Sequence, residues 1–318
     1  MVQRFLDNSL LEIVSILEKQ LTAMDVGEWL SFEVIDPECS VTHFAGERVE
    51  CEGVQGVYRS YKVWVELAEQ LGCRFLRPLQ AEAPFVVIRY QKLALSDSWH
   101  TAAKRSGEKE KYGVESGFFR LHKPEEPSFL FEYRESLRQL PMDGPMRILN
   151  LGVNKGDEFV LMKALYPDAQ WSQWECVGID HSASALAYAR EQLPDENVTF
   201  LEADLCDFEA LSLGSFDLIV SIGTLHSPAL RGRELFRWML QHWLKPDGHM
   251  ILGFPNCRYL DHEVRYGAQV KNFQRSELSL LLKEVMFHQK YLRQHRFRTI
   301  LSGKHTLFLT GIRLPKRG

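Results

Sequence analysis

The sequence predicts an α/β protein: a doubly wound, mostly parallel seven-stranded sheet that ends in a C-terminal antiparallel hairpin and follows a small α+β domain. Two observations support this fold class. After Met146, short apolar runs alternate with helical segments, and near-continuous apolar strands between helices are typical of a parallel sheet covered on both faces. Near the C-terminus, two strand-like runs at 296–301 and 306–312 flank a Ser302-Gly303 turn, which predicts the hairpin.

The parallel part of the sheet is predicted from five β-branched, apolar runs. They fall at residues 148–151, 176–180, 198–201, 216–221 and 249–253. Lys245-Pro246-Asp247-Gly248 is expected to form a turn that leads into the fifth strand. Residues 146–318 are therefore assigned to this domain.

The N-terminal part predicts a separate α+β domain at residues 1–95. Apolar residues at three- and four-residue spacings predict an opening amphipathic helix that includes Phe5 and continues to Leu21. Strands are expected at 30–35, 40–44, 47–51 and 85–88, and a second helix at 58–71. The inward-facing residues predicted for that helix are Tyr61, Trp64, Val65 and Ala68.

Residues 96–145 differ in character from both domains and are predicted to be a linker or lid followed by a leading helix. The stretch is charged at first and then aromatic, with Tyr112, Phe118, Phe119 and Arg120 near its centre. Long segments of this kind in a compact protein are often active-site covers. The same phenylalanines could instead simply anchor the segment to the core. Ser128 is the expected N-cap of the helix.

Composition limits the classes of protein that need consideration. The chain has 318 residues, a net charge of -4 and a pI near 6.3, which exclude a uniformly basic nucleic-acid coat. Its six cysteines show neither a C-x-x-C pair nor zinc-site spacing, so we expect reduced thiols, no metal and a cytoplasmic location. Acidic residues interrupt the N-terminal apolar stretch, which predicts neither a signal peptide nor a membrane span.

A glycine-containing loop follows the first strand of the parallel sheet. It reads Leu151-Gly152-Val153-Asn154-Lys155-Gly156 and leads into a helix. Glycine permits a tight turn and a close approach of the backbone to a ligand at the start of a helix. A Gly-x-x-x-Gly pattern by itself occurs in many loops, so it indicates a ligand site only together with the residues at the ends of the neighbouring strands.

Polar residues follow the next strands at the edge where ligands of such sheets bind. Asp180 ends the second strand, where a carboxylate can accept both hydroxyl groups of a ribose, and Asp204 follows the third, where it can meet an adenine edge. Ile222, Gly223 and His226 come at or after the end of the fourth strand. Each aspartate could instead cap the helix that it precedes.

In these motifs the region from Met146 to Leu314 resembles the class I (Rossmann-like) S-adenosylmethionine-dependent methyltransferases. An NAD-binding domain is disfavoured because its G-x-G-x-x-G turn would require glycine at Asn154. The resemblance implies S-adenosylmethionine as the cofactor, with Gly152, Asn154 and Gly156 around its methionine moiety. It further implies Asp180 at the ribose, Asp204 near the adenine, and Ile222 and Gly223 at the same site. This chain has Asn150 and Asn154 where the family usually has an acid and a glycine.

His226 is the candidate catalytic base, because acceptors approach after the fourth strand in that family and an imidazole titrates near neutral pH. The alternative is a loop histidine bonded to nearby backbone. Cys257 could suggest a covalent mechanism, but no Pro-Cys follows the fourth strand, which favours a structural thiol. The fourth strand also lacks the Asn/Asp-Pro-Pro-Tyr/Phe signature of enzymes that methylate adenine or glutamine nitrogen.

The acceptor stays open between a small metabolite, which we favour slightly, and RNA (tRNA or rRNA). Residues 258–318 carry thirteen basic and four acidic residues, a local excess that phosphate contacts would need. Tyr58, Arg59, Tyr61, Lys62 and Trp64 mix aromatic and basic groups suited to base stacking. A degenerate cofactor-binding interaction protein is a further alternative. The N-terminal domain is expected to recognise the acceptor or to form a homodimer.

Overall fold

The computed structural model describes residues 2–39, 42–94, 112–267 and 278–315. The chain divides into two units, each with its own sheet and its own apolar core. Unit 1 comprises Met1–Ser98 with Tyr259–Glu263, and unit 2 comprises Trp99–Arg258 with Val264–Gly318.

Unit 1 is built on a four-stranded sheet in the order β1-β2-β6-β5, with β1 parallel to β2 and the other pairs antiparallel. A separate two-stranded hairpin is formed by β3 and β4. The elements of this region are Gln3–Phe5 (β1), Leu10–Ala23 (α1), Trp29–Ile35 (β2), Arg48–Cys51 (β3), Val54–Val57 (β4), Tyr61–Gln70 (α2), Cys73–Gln80 (β5) and Phe85–Lys92 (β6).

The first helix begins later than the apolar spacing predicts. The Ser9 hydroxyl accepts the Glu12 backbone N–H while the Glu12 carboxylate accepts the Ser9 backbone N–H, a capping box that starts α1 at Leu10. Phe5 therefore lies in β1, a strand that the sequence pattern did not predict. The prediction for 40–44 falls partly on residues 40 and 41, which lie outside the described residues, and residues 42–44 are not strand.

Two predictions about side chains in unit 1 are wrong. Val65, predicted to face inward, is 46% exposed, whereas Leu67, which was not predicted to do so, is buried. Cys39 and Cys51 form a disulfide with their Cα atoms 6.1 Å apart, so the expectation of reduced thiols fails for this pair. Twelve residues separate them, and sequence spacing does not reveal that the chain after β2 returns to the end of β3.

Unit 2 contains the seven-stranded sheet in the order β14-β15-β11-β10-β7-β8-β9. The strands from β11 to β9 are parallel, while β15 runs antiparallel to both β11 and β14. The strands of this sheet are Arg147–Leu151 (β7), Glu175–Asp180 (β8), Val198–Glu202 (β9), Phe216–Ile222 (β10), Leu244–Pro255 (β11), Phe297–Ser302 (β14) and Thr306–Arg313 (β15). A separate short hairpin is formed by Cys257–Leu260 (β12) and Glu263–Tyr266 (β13), of which Tyr259–Glu263 belong to unit 1. The predicted α/β fold class is confirmed.

Helices cover both faces of this sheet, and one apolar cluster lies on each face. The helices are Pro127–Arg138 (α3), Asp157–Leu165 (α4), Asp168–Trp171 (α5), Ala183–Gln192 (α6), Gly232–Trp238 (α7) and Ser279–Gln294 (α8). Ser128 is not a cap, because Pro127 occupies the first turn of α3 and Glu126 precedes it. Among the described helices, none is long and apolar enough to cross a membrane.

The predicted turn before the fifth strand lies within β11 itself. Phe216 pairs with Leu244 and Leu218 pairs with His249, so Lys245 to Gly248 bulge out opposite the single residue Asp217. The Lys245 ammonium donates to the Asp217 carboxylate at 2.8 Å, which holds the bulge against β10.

Candidate cofactor site

The candidate site lies at the carboxyl ends of β7, β8 and β10. The chain runs from β7 outward to β8 and β9 on one side and to β10 and β11 on the other. Such a reversal of strand order leaves a crevice above the strand ends, where ligands of doubly wound sheets bind. The loop after β7, the acid that ends β8 and the loop after β10 all meet at this edge.

The loop after β7 uses three left-handed residues in alternation. Gly152, Asn154 and Gly156 have φ of 69°, 46° and 86°, and asparagine adopts this region more readily than most residues other than glycine. The backbone N–H groups of Gly152 and Val153 both donate to the Ile179 carbonyl, which ties the loop to the end of β8. Asn154 therefore fits a conformation for which the family usually has glycine.

Asp180 is buried beside this loop. Its carboxylate accepts the Asn154 backbone N–H at 2.9 Å and the Ser182 backbone N–H at 3.0 Å. The cap of α6 is Ser182, so Asp180 does not cap that helix and instead fixes the loop. Asp204 behaves differently: its carboxylate accepts the Cys206 N–H at 2.8 Å and caps the short helical turn Leu205–Ala210.

The end of β10 closes one side of the site. Ile222 points into the core, and Gly223 turns with φ 79° while its N–H donates to the Gly253 carbonyl. Thr224, which was not among the predicted site residues, donates from its hydroxyl to the Leu151 carbonyl at 2.8 Å. A Cβ on Gly152 would lie 2.0 Å from the Thr224 hydroxyl oxygen, so this glycine is required by close approach as well as by its φ.

His226 follows in the same loop and is exposed at its outer surface. Partial desolvation lowers the pKa of its imidazole below the ordinary value, while the Glu284 carboxylate acts in the opposite direction. Glu284 forms a bidentate pair with Arg233, with distances of 2.6 and 3.1 Å. A histidine with a lowered pKa is neutral at physiological pH, as a base must be.

Residues 112–122, here called the cover segment, pack on the loop and on α6. The Asn154 amide donates to the Tyr112 carbonyl at 2.8 Å, and the Ser184 hydroxyl accepts the Val114 N–H at 3.2 Å. The rings of Phe119 and Tyr188 lie 5.0 Å apart, edge to face. The earlier part of the predicted lid, residues 96–111, lies outside the described residues.

Four charged side chains meet below the cover segment. Lys155 donates from its ammonium to the carbonyls of Phe119 and Leu121, and the Asp157 carboxylate lies 4.0 Å from that ammonium. Lys123 lies 3.7 Å from the Glu158 carboxylate. The Asn150 amide donates to the other Glu158 oxygen at 3.2 Å, so this strand-end asparagine has a carboxylate partner.

Burial shifts the pKa values of Asp157 and Lys155 in the directions that favour their uncharged forms. It raises the pKa of Asp157 to about 6, with the neighbouring Glu158 charge adding to the effect and Lys155 opposing it. Burial also lowers the pKa of the Lys155 ammonium, although Asp157 acts in the opposite direction. In the described part of the chain, no group of three or more His, Cys, Asp or Glu side chains could hold a metal ion.

Part of this domain matches a known protein family. A family described as a methyltransferase domain matches residues 148–248, the stretch that runs from β7 to the bulge in β11 and contains every site residue predicted from the sequence. The strand order, with its antiparallel C-terminal hairpin, agrees with the sequence resemblance. This match supports the resemblance of the region to the S-adenosylmethionine-dependent methyltransferases.

Curated relatives of this chain match over part of their length. A trans-aconitate 2-methyltransferase of Rhodopseudomonas palustris (strain BisA53) is 34% identical over 171 residues, which cover 51% of this chain and 52% of that protein. Another, from strain BisB18, is 36% identical over 72 residues, 23% of this chain and 25% of that one. These matches therefore span between a quarter and about half of the relatives.

A solved structure of a SAM-dependent methyltransferase from Aquifex aeolicus aligns with 66% of this chain and 100% of its own, at 13% identity and a TM-score of 0.44. The match to a methyltransferase domain supports S-adenosylmethionine, the cofactor that the sequence resemblance implied. Lys155, Asp157 and Glu158 were not among the predicted site residues. The charged Asn154-Lys155-Gly156-Asp157-Glu158 run was the signal that could have indicated them.

Proposed function

We propose that this protein transfers the methyl group of S-adenosylmethionine to a small metabolite. The proposal is supported mainly by the hydrogen bonds that connect the glycine loop after β7 to Ile179 and Asp180 at the end of β8. Two backbone amides of the loop bond to the Ile179 carbonyl, and a third bonds to the Asp180 carboxylate. This arrangement positions the loop at the switch point where a nucleoside-containing ligand would bind.

The residues present fit the cofactor. Gly152 and Gly156 leave the loop without side chains at two turns, and the acid at the end of β8 is in the position suited to ribose hydroxyl groups. When bound, S-adenosylmethionine supplies a methyl group on a positively charged sulfur, and the transfer is an in-line displacement that depends on alignment. We assign Gly152, Asn154, Gly156, Asp180 and Gly223 to cofactor binding, and Ile222 through its backbone, because its side chain lies in the core. Asp204 is assigned to the same site through the backbone at the start of the helical turn Leu205–Ala210, which its side chain caps.

Within this proposal, the cover segment closes the site over the loop, and His226 acts as the base when the acceptor must lose a proton. The side chains of Asn154 and Lys155 bond to three carbonyl groups of the cover segment. This favours a cover over a passive linker, because the bonds come from the cofactor loop itself. The division of the chain at residues 95 and 145 is part of the same proposal.

A small acceptor is favoured over RNA for two reasons. The relatives with which the chain aligns are named for a small metabolite. In addition, Trp64 is 1% exposed, and Tyr58 and Arg59 are also buried, with the Arg59 guanidinium donating to the Asn8 carbonyl. These groups form part of the core of unit 1, and a buried ring cannot stack on a base.

The basic C-terminal residues give RNA little additional support. Arg313 donates to the His295 carbonyl and lies over the Phe297 ring, and Arg296 donates to the Pro315 carbonyl. Arg293 donates to the Thr299 hydroxyl. These guanidinium groups therefore hold α8 and the terminal hairpin together, which reduces the surface available for phosphates.

The first experiment is calorimetric titration with S-adenosylmethionine and S-adenosylhomocysteine, on the wild type and on Asp180→Ala. We expect micromolar binding of both by the wild type and a loss of more than about tenfold in the variant, the scale of a charge-assisted hydrogen bond. Methyl transfer is then followed with labelled cofactor on trans-aconitate, on a metabolite extract and on RNA. Binding without turnover on any of them would support a degenerate interaction protein and contradict the enzyme.

A further inference from the structure

The hairpin of β12 and β13, which follows β11, has a register that its turn fixes. Two residues join its strands, Asp261 and His262, with φ of 48° and 66°, and two successive positive φ angles are typical of a type I′ turn. Such a turn pairs residues at equal distances on its two sides. The Gly267 N–H donates to the Asn256 carbonyl at 2.8 Å, and each of these residues lies five positions from the turn, as the register requires.

Arg258 and Arg265 are opposite each other in this register, each three positions from the turn. The Asn256–Gly267 pair is hydrogen-bonded, and bonded and non-bonded pairs alternate along an antiparallel ladder. Arg258 and Arg265 therefore also form a hydrogen-bonded pair, with Cα atoms about 5.5 Å apart. Their side chains extend from the same face of the hairpin, where like charges directly opposite each other are destabilising.

Both acidic side chains of the hairpin are engaged elsewhere. The Glu263 carboxylate accepts from the Arg74 guanidinium at 2.5 Å, and the Asp261 carboxylate accepts the Ala94 backbone N–H at 3.2 Å. Arg258 is half-buried, and its Nε atom is shielded from solvent without a hydrogen-bond partner among the described residues. That donor has therefore lost its hydrogen bond to water and has gained none from the described protein.

Arg258 lies close to the candidate cofactor site along the chain. The Gly223 N–H, after β10, donates to the Gly253 carbonyl of β11 at 2.8 Å. Arg258 comes three residues after Pro255, the end of β11, and three residues span at most about 11 Å. Asn256, between them, is 3% exposed, and its amide oxygen has no hydrogen-bond partner among the described residues. Two unpartnered polar groups at the end of β11 indicate that a polar ligand completes this surface.

We propose that Arg258, with Arg265 opposite it, binds a carboxylate of the methyl acceptor. A guanidinium group presents parallel N–H donors that match the two oxygens of a carboxylate, and a negative charge beside both arginines offsets the repulsion between them. A phosphate group is less suited, because it usually draws on free backbone N–H groups, and those of Arg258 and Arg265 are used in the ladder. The proposal rests on the proposed function and narrows its small metabolite to a carboxylic acid.

The first test determines the chemical class of the acceptor. Transfer of a labelled methyl group from S-adenosylmethionine by the full chain is measured on a metabolite extract, untreated or treated with carbodiimide and methylamine, which convert carboxylates into neutral amides. Portions treated with methylamine alone and with phosphatase are the controls. trans-Aconitate and its trimethyl ester form a defined pair for the same comparison. We expect transfer to the extract to disappear after amidation and to survive both control treatments.

The second test measures KM and kcat for the acceptor in four variants. Arg258→Gln removes the charge, Arg258→Lys keeps it without the paired donors, and Arg265→Gln removes the opposite cation. Arg298→Gln is the matched control, because Arg298 is an exposed arginine of β14, at the far edge of the seven-stranded sheet. Calorimetric titration with S-adenosylhomocysteine and thermal unfolding verify that each variant is folded and binds the cofactor product.

We expect Arg258→Gln to raise KM for the acceptor roughly ten- to a hundredfold, the scale of a hydrogen bond between charged groups, with kcat within about threefold of the wild type. Arg258→Lys should lie between the two, and Arg265→Gln should raise KM by a smaller factor, because it removes only the second cation. Affinity for S-adenosylhomocysteine should stay within about twofold in every variant. Arg298→Gln should change none of these quantities.

An acceptor that survives amidation, or that is lost on phosphatase treatment, would overturn the proposal, as would methyl transfer to RNA alone. An unchanged KM in Arg258→Gln would overturn it too, and so would an equal loss of affinity for S-adenosylhomocysteine, which would leave Arg258 a structural role. If the wild type does not bind S-adenosylhomocysteine, or methylates nothing, the proposed function itself fails. That result is distinct from a failure of Arg258 alone, in which the wild type binds S-adenosylhomocysteine and methylates an acceptor.

Discussion

Asp157 offers the sharpest test of the electrostatics at the candidate site. Burial and the adjacent Glu158 charge raise the pKa of its carboxyl group from 3.8 to about 6, so the folded protein holds this proton more tightly than the unfolded chain does. Free energy of unfolding then falls as pH rises from about 4 to about 6, because the folded state must give up a proton that the unfolded chain has already lost. Below about pH 4 both states are protonated, and the penalty disappears.

The size of the penalty follows from the shift. About two pKa units at 1.36 kcal/mol each correspond to about 3 kcal/mol above pH 6. A negative charge in the first turn of α4 regains about 0.3–1 kcal/mol from the helix dipole. We therefore expect Asp157→Asn to be more stable than the wild type by about 2 kcal/mol at pH 7.5 and nearly equal to it at pH 4.

The assay is chemical denaturation followed by tryptophan fluorescence, with wild type and variant compared at pH 4, 5, 6 and 7.5. Taking the difference at each pH cancels the titration of groups that the substitution leaves unchanged. The charged and titratable groups facing Asp157 are Lys155, Lys123 and Glu158, with His122 beside Lys155. Asp168→Asn is the control, because Asp168 is an exposed acid in the first turn of α5. A difference that does not vary with pH, or a variant less stable at pH 7.5, would refute the argument.

Three further substitutions test the packing. Gly152→Ala should lower the free energy of unfolding by at least about 1–2 kcal/mol and abolish cofactor binding. The new Cβ would clash with the Thr224 hydroxyl, and φ of 69° is unfavourable for alanine. Full retention of cofactor binding on calorimetry would contradict this. Ser221→Ala should raise the unfolding free energy by about 1 kcal/mol, because the 1% exposed hydroxyl has no partner among the described residues; a loss of stability would indicate an unseen partner. Trp64→Ala should cost about 3–5 kcal/mol by opening a cavity in unit 1. A fully stable variant that lost only RNA binding would restore the stacking hypothesis.

Two charged residues beside the glycine loop also bear on the stability of this protein. Asp157, at the start of α4, has a raised pKa, and Lys155, in the preceding loop, has a lowered pKa, so the charged form of each opposes folding. A ligand group of opposite charge would stabilise the charged form of either residue. The expected gain in stability of Asp157→Asn is therefore a measure of how far this loop is organised for a ligand.

The strands and the site loop of unit 2 follow from the sequence because their signals are local. A run such as 216–221 is apolar and β-branched on its own, and a glycine at a strand end marks a turn whatever surrounds it. The same locality explains why Asp180 was placed correctly at the end of β8. Its bond to the Asn154 N–H needed the structure, because 26 residues separate the two.

Tertiary structure alone decided which polar groups meet. Lys155 reads as a solvent-exposed lysine in the sequence, and it becomes a buried charge only because the cover segment, more than thirty residues earlier in the chain, folds over it. Trp64 and Arg59 likewise look like a stacking surface until the sheet of unit 1 encloses them. Cys39 and Cys51 approach each other only through the path of the backbone. Periodicity reports which face of an element is apolar, whereas burial, charge pairing and pKa depend on what another part of the chain places against that face.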